Sequence, residues 1–191
     1  NVPVQSHLSE NHGEIDWVAA LHPEAANYTD VYYEHHLMGR VPTVMAHCIH
    51  LSDVEVDRMA ETQTMVSHCP YSNVNLSSGI APIRKLFERK IPIGLGSDIS
   101  GGHIVSMAKV LTEAIGLSKM KWVEVDQRYA PLTLSEAFYM ATKGGGAFFG
   151  KVGSFEKGCE LDALVIDDTA LFDPNERSLE ERLERWLYVG D

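Results

Sequence analysis

The chain has 191 residues, 45% of them hydrophobic and 23% charged. This is the composition of one globular domain with a packed core, and it excludes a disordered, collagen-like or coiled-coil chain. With 16 Lys and Arg against 27 Asp and Glu, the formal net charge is -11, so most of the surface would repel nucleic acids and anionic membranes. We therefore expect a small neutral or cationic ligand, with no nucleic-acid partner and no membrane partner. Three cysteines are too few for a disulfide framework, and the first residues lack an export signal, so we expect a cytoplasmic protein.

Four short apolar runs are rich in β-branched residues, which is typical of buried strands. They lie at residues 2–6, 41–46, 64–67 and 91–96. Helical stretches lie between and after these runs. Strands that alternate with helices imply a parallel sheet with crossover helices, so the predicted fold class is α/β.

The helix predictions depend on start signals. Capping boxes, in which Ser or Thr is followed three residues later by Glu, occur at Ser52 and Thr133. Pro82 predicts the first turn of another helix. A long helix is predicted within residues 103–119, and a charged helix near the end of the chain, at 175–186.

The pattern of alternating strands and helices ends after Gly150. Residues 151–166 have turn glycines followed by an alternating apolar run at 161–166, which predicts a strand. Residues 187–191 also read as the start of a strand. We therefore predict a βα domain at 1–150 and a separate unit at 151–191.

Each predicted core strand ends in a residue that can bind a metal or carry a proton. His7, His47, His68 and Asp98 follow the four strands in turn. The carboxyl ends of parallel strands open onto one face, so these side chains can converge although they are distant in sequence. Taken singly, each histidine is more often structural, and Asp98 is more often a turn residue. The coincidence at four strand ends favours one site.

Histidine and aspartate suit zinc or iron, and a catalytic metal needs three or four ligands with one position open to water. Glu10, three residues after His7, is placed to shuttle a proton without ligating the metal. Asp98 could both bind the metal and accept a proton from the water, and His47 could orient the oxygen that adds to the substrate. A structural zinc cluster of these histidines with Cys48 and Cys69 is disfavoured, because adjacent strand residues point to opposite faces.

Several segments together resemble the amidohydrolase superfamily of metal-dependent deaminases, and within it the guanine deaminases. They are QSHLSEN, AHCIHLS, SHCPYSN, LSSGIAPIRKL, IPIGLGSDISGGHIVSM and LTLSEAFYMATKGGGAFFGKVGSFEKG. The resemblance implies that His7 and Asp98 bind a zinc ion, with iron as the alternative. It also implies that Glu10 shuttles protons, that His47 contacts the substrate beside the metal, and that His68 has a supporting role. We expect His7, Glu10, His47 and Asp98 all to line the substrate site.

The implied reaction is hydrolysis of guanine, a free purine base, to xanthine and ammonia in purine catabolism. The superfamily's HxH metal-binding pair does not occur in this sequence. The chain therefore resembles the C-terminal half of a TIM (β/α)8 barrel, and residues 151–191 resemble part of an appended β-sandwich. We expect the 191 residues alone to bind zinc weakly and to be inactive, and the full-length protein to be a homodimer. The alternatives are a catalytically dead half-barrel that serves binding or dimerisation, and a hydrolase of another aminopurine or an aminotriazine.

Overall fold

The computed structural model describes residues 2–190, and its centre is a sheet of four parallel strands. The strands are β1 (Val4–Leu8), β2 (Thr43–His47), β3 (Met65–His68) and β4 (Ile93–Leu95). They lie side by side in chain order, and each pairs in parallel with the next. All four predicted strands are confirmed, with shifts of one or two residues at their ends, as is the α/β class.

Helices cover one side of this sheet: the first five connect its strands, and the last three follow β4. They are α1 (His12–Leu21), α2 (Tyr28–Glu34), α3 (Asp53–Glu61), α4 (Pro70–Asn75), α5 (Ile83–Glu88), α6 (Met107–Glu124), α7 (Leu134–Tyr139) and α8 (Leu179–Val189). Both predicted capping boxes are present at the starts of α3 and α7. The long helix α6 begins four residues later than the predicted range and ends five residues beyond it, with Ser106 at its N-cap position. Residues 99–102, just before the predicted range, form a bridged turn. No helix within residues 2–190 combines the length and the apolar character that a membrane span requires.

The hydrophobic core lies between the helices and one face of the sheet. Met45, Val66 and Ile93 are paired across β2, β3 and β4 and are at most 1% exposed. They pack in one cluster with helix residues such as Met59 and Leu86. Alternate residues of the same strands point to the other face, because side chains alternate along a strand.

A π-helical turn, Met140–Gly144, follows α7 and packs against β4. The approach is close: a Cβ atom on Gly94 would lie 2.9 Å from the Cα of Gly145. Glycine at these two positions therefore lets the turn sit on the strand.

The strand predicted at residues 161–166 is not formed, and this prediction is wrong. Leu161, Leu164 and Val165 are 79%, 83% and 101% exposed, and no strand of residues 2–190 pairs with them. A strand needs a neighbour to satisfy its backbone groups, so an alternating pattern alone does not produce one.

The predicted terminal helix is confirmed as α8. The strand expected from residue 187 is wrong within the described residues, because α8 continues to Val189; residue 191 lies outside them. α8 packs against α6, and its Leu187 is buried in the main core.

Candidate active site at the strand ends

Strained backbone marks the carboxyl edge of the sheet. Nine non-glycine residues between 2 and 190 have positive φ, a region that side chains other than Asn, Asp and His rarely enter. Five of them lie at or just after β1, β2 and β4: Ser9 (48°), His47 (70°), Cys48 (52°), Asp98 (44°) and Ser100 (105°). Such strain concentrates at functional sites because the surrounding structure must hold it in place. This strain indicates a functional site at the strand ends.

The side chains of four predicted site residues meet at this edge. The His7 and His47 rings are stacked, with centroids 5.3 Å apart and an interplanar angle of 12°. His47 Nε2 lies 3.7 Å from Glu10 Oε2 and 3.9 Å from Asp98 Oδ2. His47 is thus the centre of a group drawn from β1, β2 and the segment after β4.

His47 and Glu10 are each held by a further hydrogen bond. Asn73 Oδ1, on α4, lies 2.9 Å from His47 Nδ1, and both side chains are buried. The Ser78 hydroxyl donates to Glu10 Oε1 at 2.8 Å. The backbone N–H of Glu10 donates to Glu14 Oε2 at 2.8 Å, which fixes the turn between β1 and α1. These contacts leave His47 Nε2 and Glu10 Oε2 facing each other.

A cleft of about 540 Å³ opens on the face of the sheet opposite the helical core. His7 and Asp98 both line it. Alternate strand residues form its floor, and Phe148 and Phe149 lie along its side. The floor residues include Gln5, Val44, Ala46, Met65, Ser67, Gly94 and Gly96. Its volume is in the range of small-molecule sites, and an apolar wall with a few polar groups at one end is typical of such sites.

His68, at the end of β3, lies in a different environment. It is 2% exposed, and its Nδ1 atom has no hydrogen-bond partner among the described residues. Burial, with a smaller contribution from the charge of His47, lowers the pKa of His68 to about 3. His68 is therefore neutral near pH 7 and lies beside the group formed by His7, Glu10, His47 and Asp98.

The two cysteines near the strand ends are both buried, but they face different ways. Cys48 is part of the hydrophobic core, and burial raises the pKa of its thiol far above the usual range. Cys69 instead lines the cleft. Burial raises the pKa of Cys69 to about 11, so neither thiol is a nucleophile near pH 7.

Sequence reasoning missed Asn73 and Ser78 as parts of the site. Both lie in the polar stretch after β3, where neither forms a metal or acid–base pattern. Asn73 ends the segment SHCPYSN, and Ser78 lies in the segment LSSGIAPIRKL. His50 Nε2 donates to the Ser78 carbonyl oxygen at 2.8 Å, since a carbonyl oxygen can only accept.

The donor set fits part of a metal site. His7 and Asp98 line one cleft, and imidazole nitrogen and carboxylate oxygen are both zinc ligands. Among residues 2–190, however, no three His, Cys, Asp or Glu side chains are arranged to hold a metal ion. A catalytic zinc ion usually has three protein ligands, so this chain supplies suitable donor types but too few of them.

The fold and the gathered side chains define the class: an α/β protein with a candidate ligand site at the carboxyl edge of a parallel sheet. The model of the amidohydrolase family matches residues 1–186. The chain therefore belongs to the amidohydrolase family.

The curated relatives are longer than this chain. The guanine deaminase of Dictyostelium discoideum is 41% identical over an alignment of 195 positions, which covers 98% of this chain and 43% of that protein. The guanine deaminase of Escherichia coli strain K12 is 37% identical over an alignment of 196 positions, which also covers 98% of this chain and 43% of that protein. The chain thus spans less than half the length of these relatives.

The similar proteins of known structure are also longer than this chain. The crystal structure of guanine deaminase from C. acetobutylicum, with guanine bound in its active site, is 52% identical, with a TM-score of 0.95 over 100% of this chain and 45% of that one. An adenosine deaminase from Xanthomonas campestris with bound zinc is 25% identical, with a TM-score of 0.79 over 95% of this chain and 41% of that one.

Proposed function

We propose that the protein to which these residues belong is a metal-dependent guanine deaminase, which hydrolyses guanine to xanthine and ammonia in purine catabolism. The observation that carries the proposal is that carboxylate oxygens of Glu10 and Asp98 both lie within 4 Å of His47 Nε2. This group stands beside a cleft that His7 and Asp98 line. Support comes from the similarity to a structure with guanine bound. A related hydrolase of another aminopurine or an aminotriazine has no comparable support, since the adenosine deaminase is only 25% identical.

In this proposal His7 and Asp98 hold a zinc ion, with further ligands from parts of the protein outside this chain. The zinc ion would supply Lewis-acid activation of a water molecule. Asp98 accepts the proton that the water loses as its oxygen adds to the ring carbon bearing the amine. His47 Nε2, beside both carboxylates, contacts and orients the adding oxygen.

Glu10 moves the protons. Its Oε1 is held by the Ser78 hydroxyl, so Oε2 is the atom free to face the substrate. Glu10 starts protonated and gives its proton to a ring nitrogen as the water oxygen adds. The Glu10 carboxylate then takes the proton of the added hydroxyl and delivers it to the departing amine, and the proton held by Asp98 returns to Glu10. One water is consumed, the carbon–nitrogen bond breaks, a carbonyl forms at the same carbon, and ammonia leaves.

We also propose that residues 1–150 form half of a TIM barrel and that residues 151–191 belong to a second unit, a β-sandwich. The sequential parallel order of β1 to β4 supports the first part. The exposed apolar side chains at 161–166 support the second for the stretch before α8, whereas α8 itself packs against α6 of the main core. Isolated, the 191 residues would bind zinc weakly and turn over little guanine, because they supply too few ligands. We propose a homodimer and a cytoplasmic location for the whole protein.

The test is guanine turnover by the whole, zinc-loaded protein, measured as xanthine and ammonia. Glu10→Gln should lower kcat by about 10²- to 10⁴-fold. Glu24→Gln is the matched control, since that side chain is 67% exposed and lies on the loop after α1. Turnover of adenosine or an aminotriazine but not of guanine would favour a hydrolase of another aminopurine or an aminotriazine. No turnover of any of these compounds would favour a catalytically dead half-barrel that serves binding or dimerisation.

A further inference from the structure

One short segment contacts two candidate catalytic residues that come from different strand ends. The segment runs from the last turn of α4 through the turn that follows, residues 73–78, and we refer to it as the 73–78 segment. Asn73 at its start contacts His47, and Ser78 at its end contacts Glu10. Its two ends are tied together, because the Ser78 backbone N–H donates to the Asn73 carbonyl oxygen at 2.8 Å.

The Asn73 side chain has an arrangement that folding alone does not explain. It is fully buried, and its Oδ1 lies 2.9 Å from His47 Nδ1. Its Nδ2 has no partner among the described residues. A buried amide with an unsatisfied N–H group destabilises the fold, so an apolar side chain of similar size would suit a purely structural role better.

The contact has a chemical consequence for His47. With Oδ1 as the acceptor, the proton sits on Nδ1, and the ring is fixed with Nε2 toward the two carboxylates. Which ring nitrogen carries the proton is set by the partner of the other one. Asn73 therefore determines both the tautomer and the direction of the imidazole.

Ser78 fixes the direction of the Glu10 carboxylate. Its side chain is almost fully buried, and its hydroxyl donates to Oε1 at 2.8 Å. The Ser78 carbonyl oxygen is in turn held by His50 Nε2 at 2.8 Å, so the residue is fixed on both sides. Oε2 of Glu10 is left pointing at His47 Nε2.

We infer that the 73–78 segment is a positioning element that holds the proton shuttle and the substrate-contacting histidine in register with each other. Asn73 and Ser78 are positioning residues: they act through His47 and Glu10. This role rests on the proposed function for its kinetic consequence, but the tautomer of His47 does not depend on that function.

The kinetic test compares four variants of the whole, zinc-loaded protein. Asn73→Leu removes the acceptor at similar volume, and Asn73→Asp keeps an acceptor oxygen. Ser78→Ala removes the donor to Glu10. The matched control is Thr43→Val, which removes a partly buried 2.7 Å hydrogen bond to the Leu37 carbonyl oxygen at the opposite end of β2.

We expect Asn73→Leu and Ser78→Ala to lower kcat for guanine by about 10- to 100-fold, as loss of supporting contacts does elsewhere, with KM little changed. Asn73→Asp should keep most of the kcat that Asn73→Leu loses, and Thr43→Val should leave kcat unchanged. Equal losses in Asn73→Leu and Asn73→Asp, or a loss in Thr43→Val as large as in Asn73→Leu, would overturn the inference.

The second readout is the ¹⁵N spectrum of the same proteins labelled at histidine. A slowly exchanging Nδ1–H of His47 should be present in the unchanged protein and in Asn73→Asp, and lost in Asn73→Leu. If the unchanged protein shows this proton but does not turn over guanine, the proposed function is wrong and the positioning role of Asn73 stands. If His47 Nδ1 carries no proton, the inference is wrong whatever the activity.

Discussion

The carboxylate of Glu55 joins two helices, and its loss tests the account of the fold. Its Oε1 accepts from the N–H and the hydroxyl of Thr29 on α2, at 3.3 and 3.1 Å. Its Oε2 accepts from the N–H and the hydroxyl of Ser52, at 2.9 and 2.8 Å, which is half of the capping box of α3. Thr29 is fully buried, so water cannot readily replace this acceptor.

Glu55→Ala should therefore destabilise the protein strongly. Each buried donor left without an acceptor costs about 1–3 kcal/mol, and removal of a capping contact costs about 1 kcal/mol. Allowing for partial rehydration, we expect a loss of about 2–4 kcal/mol. Glu61→Ala is the matched control on the same helix: that side chain is 68% exposed and only meets Arg58 at 3.4 Å, so its loss should cost less than about 0.5 kcal/mol.

The assay is urea unfolding of the whole protein, combined with hydrogen exchange at the Thr29 amide. Glu55→Ala should lower the urea midpoint and speed exchange at Thr29, and Glu61→Ala should do neither. If both variants keep the original midpoint and Thr29 exchanges no faster, the carboxylate does not join α2 to α3 as described.

Three further predictions concern the core, acid stability and the metal. Leu86 is fully buried in the core cluster, so Leu86→Ala should lower the free energy of unfolding in urea by about 2–5 kcal/mol. Val54→Ala, at a 64% exposed position, should lower it little. Equal losses in the two variants would contradict the described core. Two hydrogen bonds from the Arg84 guanidinium lower the pKa of Glu136 from 4.5 to about 2. A depressed folded-state pKa stabilises the protein above the unfolded value and loses that effect as the pH falls from 4.5 towards 2, so Glu136→Gln should flatten unfolding free energy against pH in that window, and an unchanged slope would refute the pairing. In the whole protein, Asp98→Asn should lower the bound zinc measured by elemental analysis and Glu10→Gln should not, with His36→Asn as an exposed control; zinc retained in full by Asp98→Asn would remove that residue from the ligand set.

The parts of the fold that depend on local pattern could be predicted from the sequence. β-branched runs located the four strands, and the Ser52 and Thr133 boxes located the starts of α3 and α7. Parallel order followed from the alternation of strands with helices. That order in turn brought His7 and His47, at the carboxyl ends of β1 and β2, and Asp98, just after β4, to one edge.

The parts that depend on distant partners could not be predicted. The apolar alternation at 161–166 indicated a strand, but whether it forms one depends on a neighbour that the pattern does not contain. Asn73 and Ser78 carry no acid–base signature of their own, and their importance comes from what lies opposite them. Cys69 faces the cleft because its backbone leaves the strand at that point, which no periodicity shows.

The left-handed backbone at the strand ends limits how this site could be redesigned. Positions 47, 48 and 98 have φ of 70°, 52° and 44°, and a β-branched or bulky replacement there would add a conformational penalty of about 1–3 kcal/mol before any chemistry is considered. A library for a new substrate should therefore keep His47 and Asp98, which already suit this backbone, and should leave Cys48, which lies in the hydrophobic core, unchanged. Diversity belongs instead at Val44 and Met65, cleft residues with ordinary strand geometry.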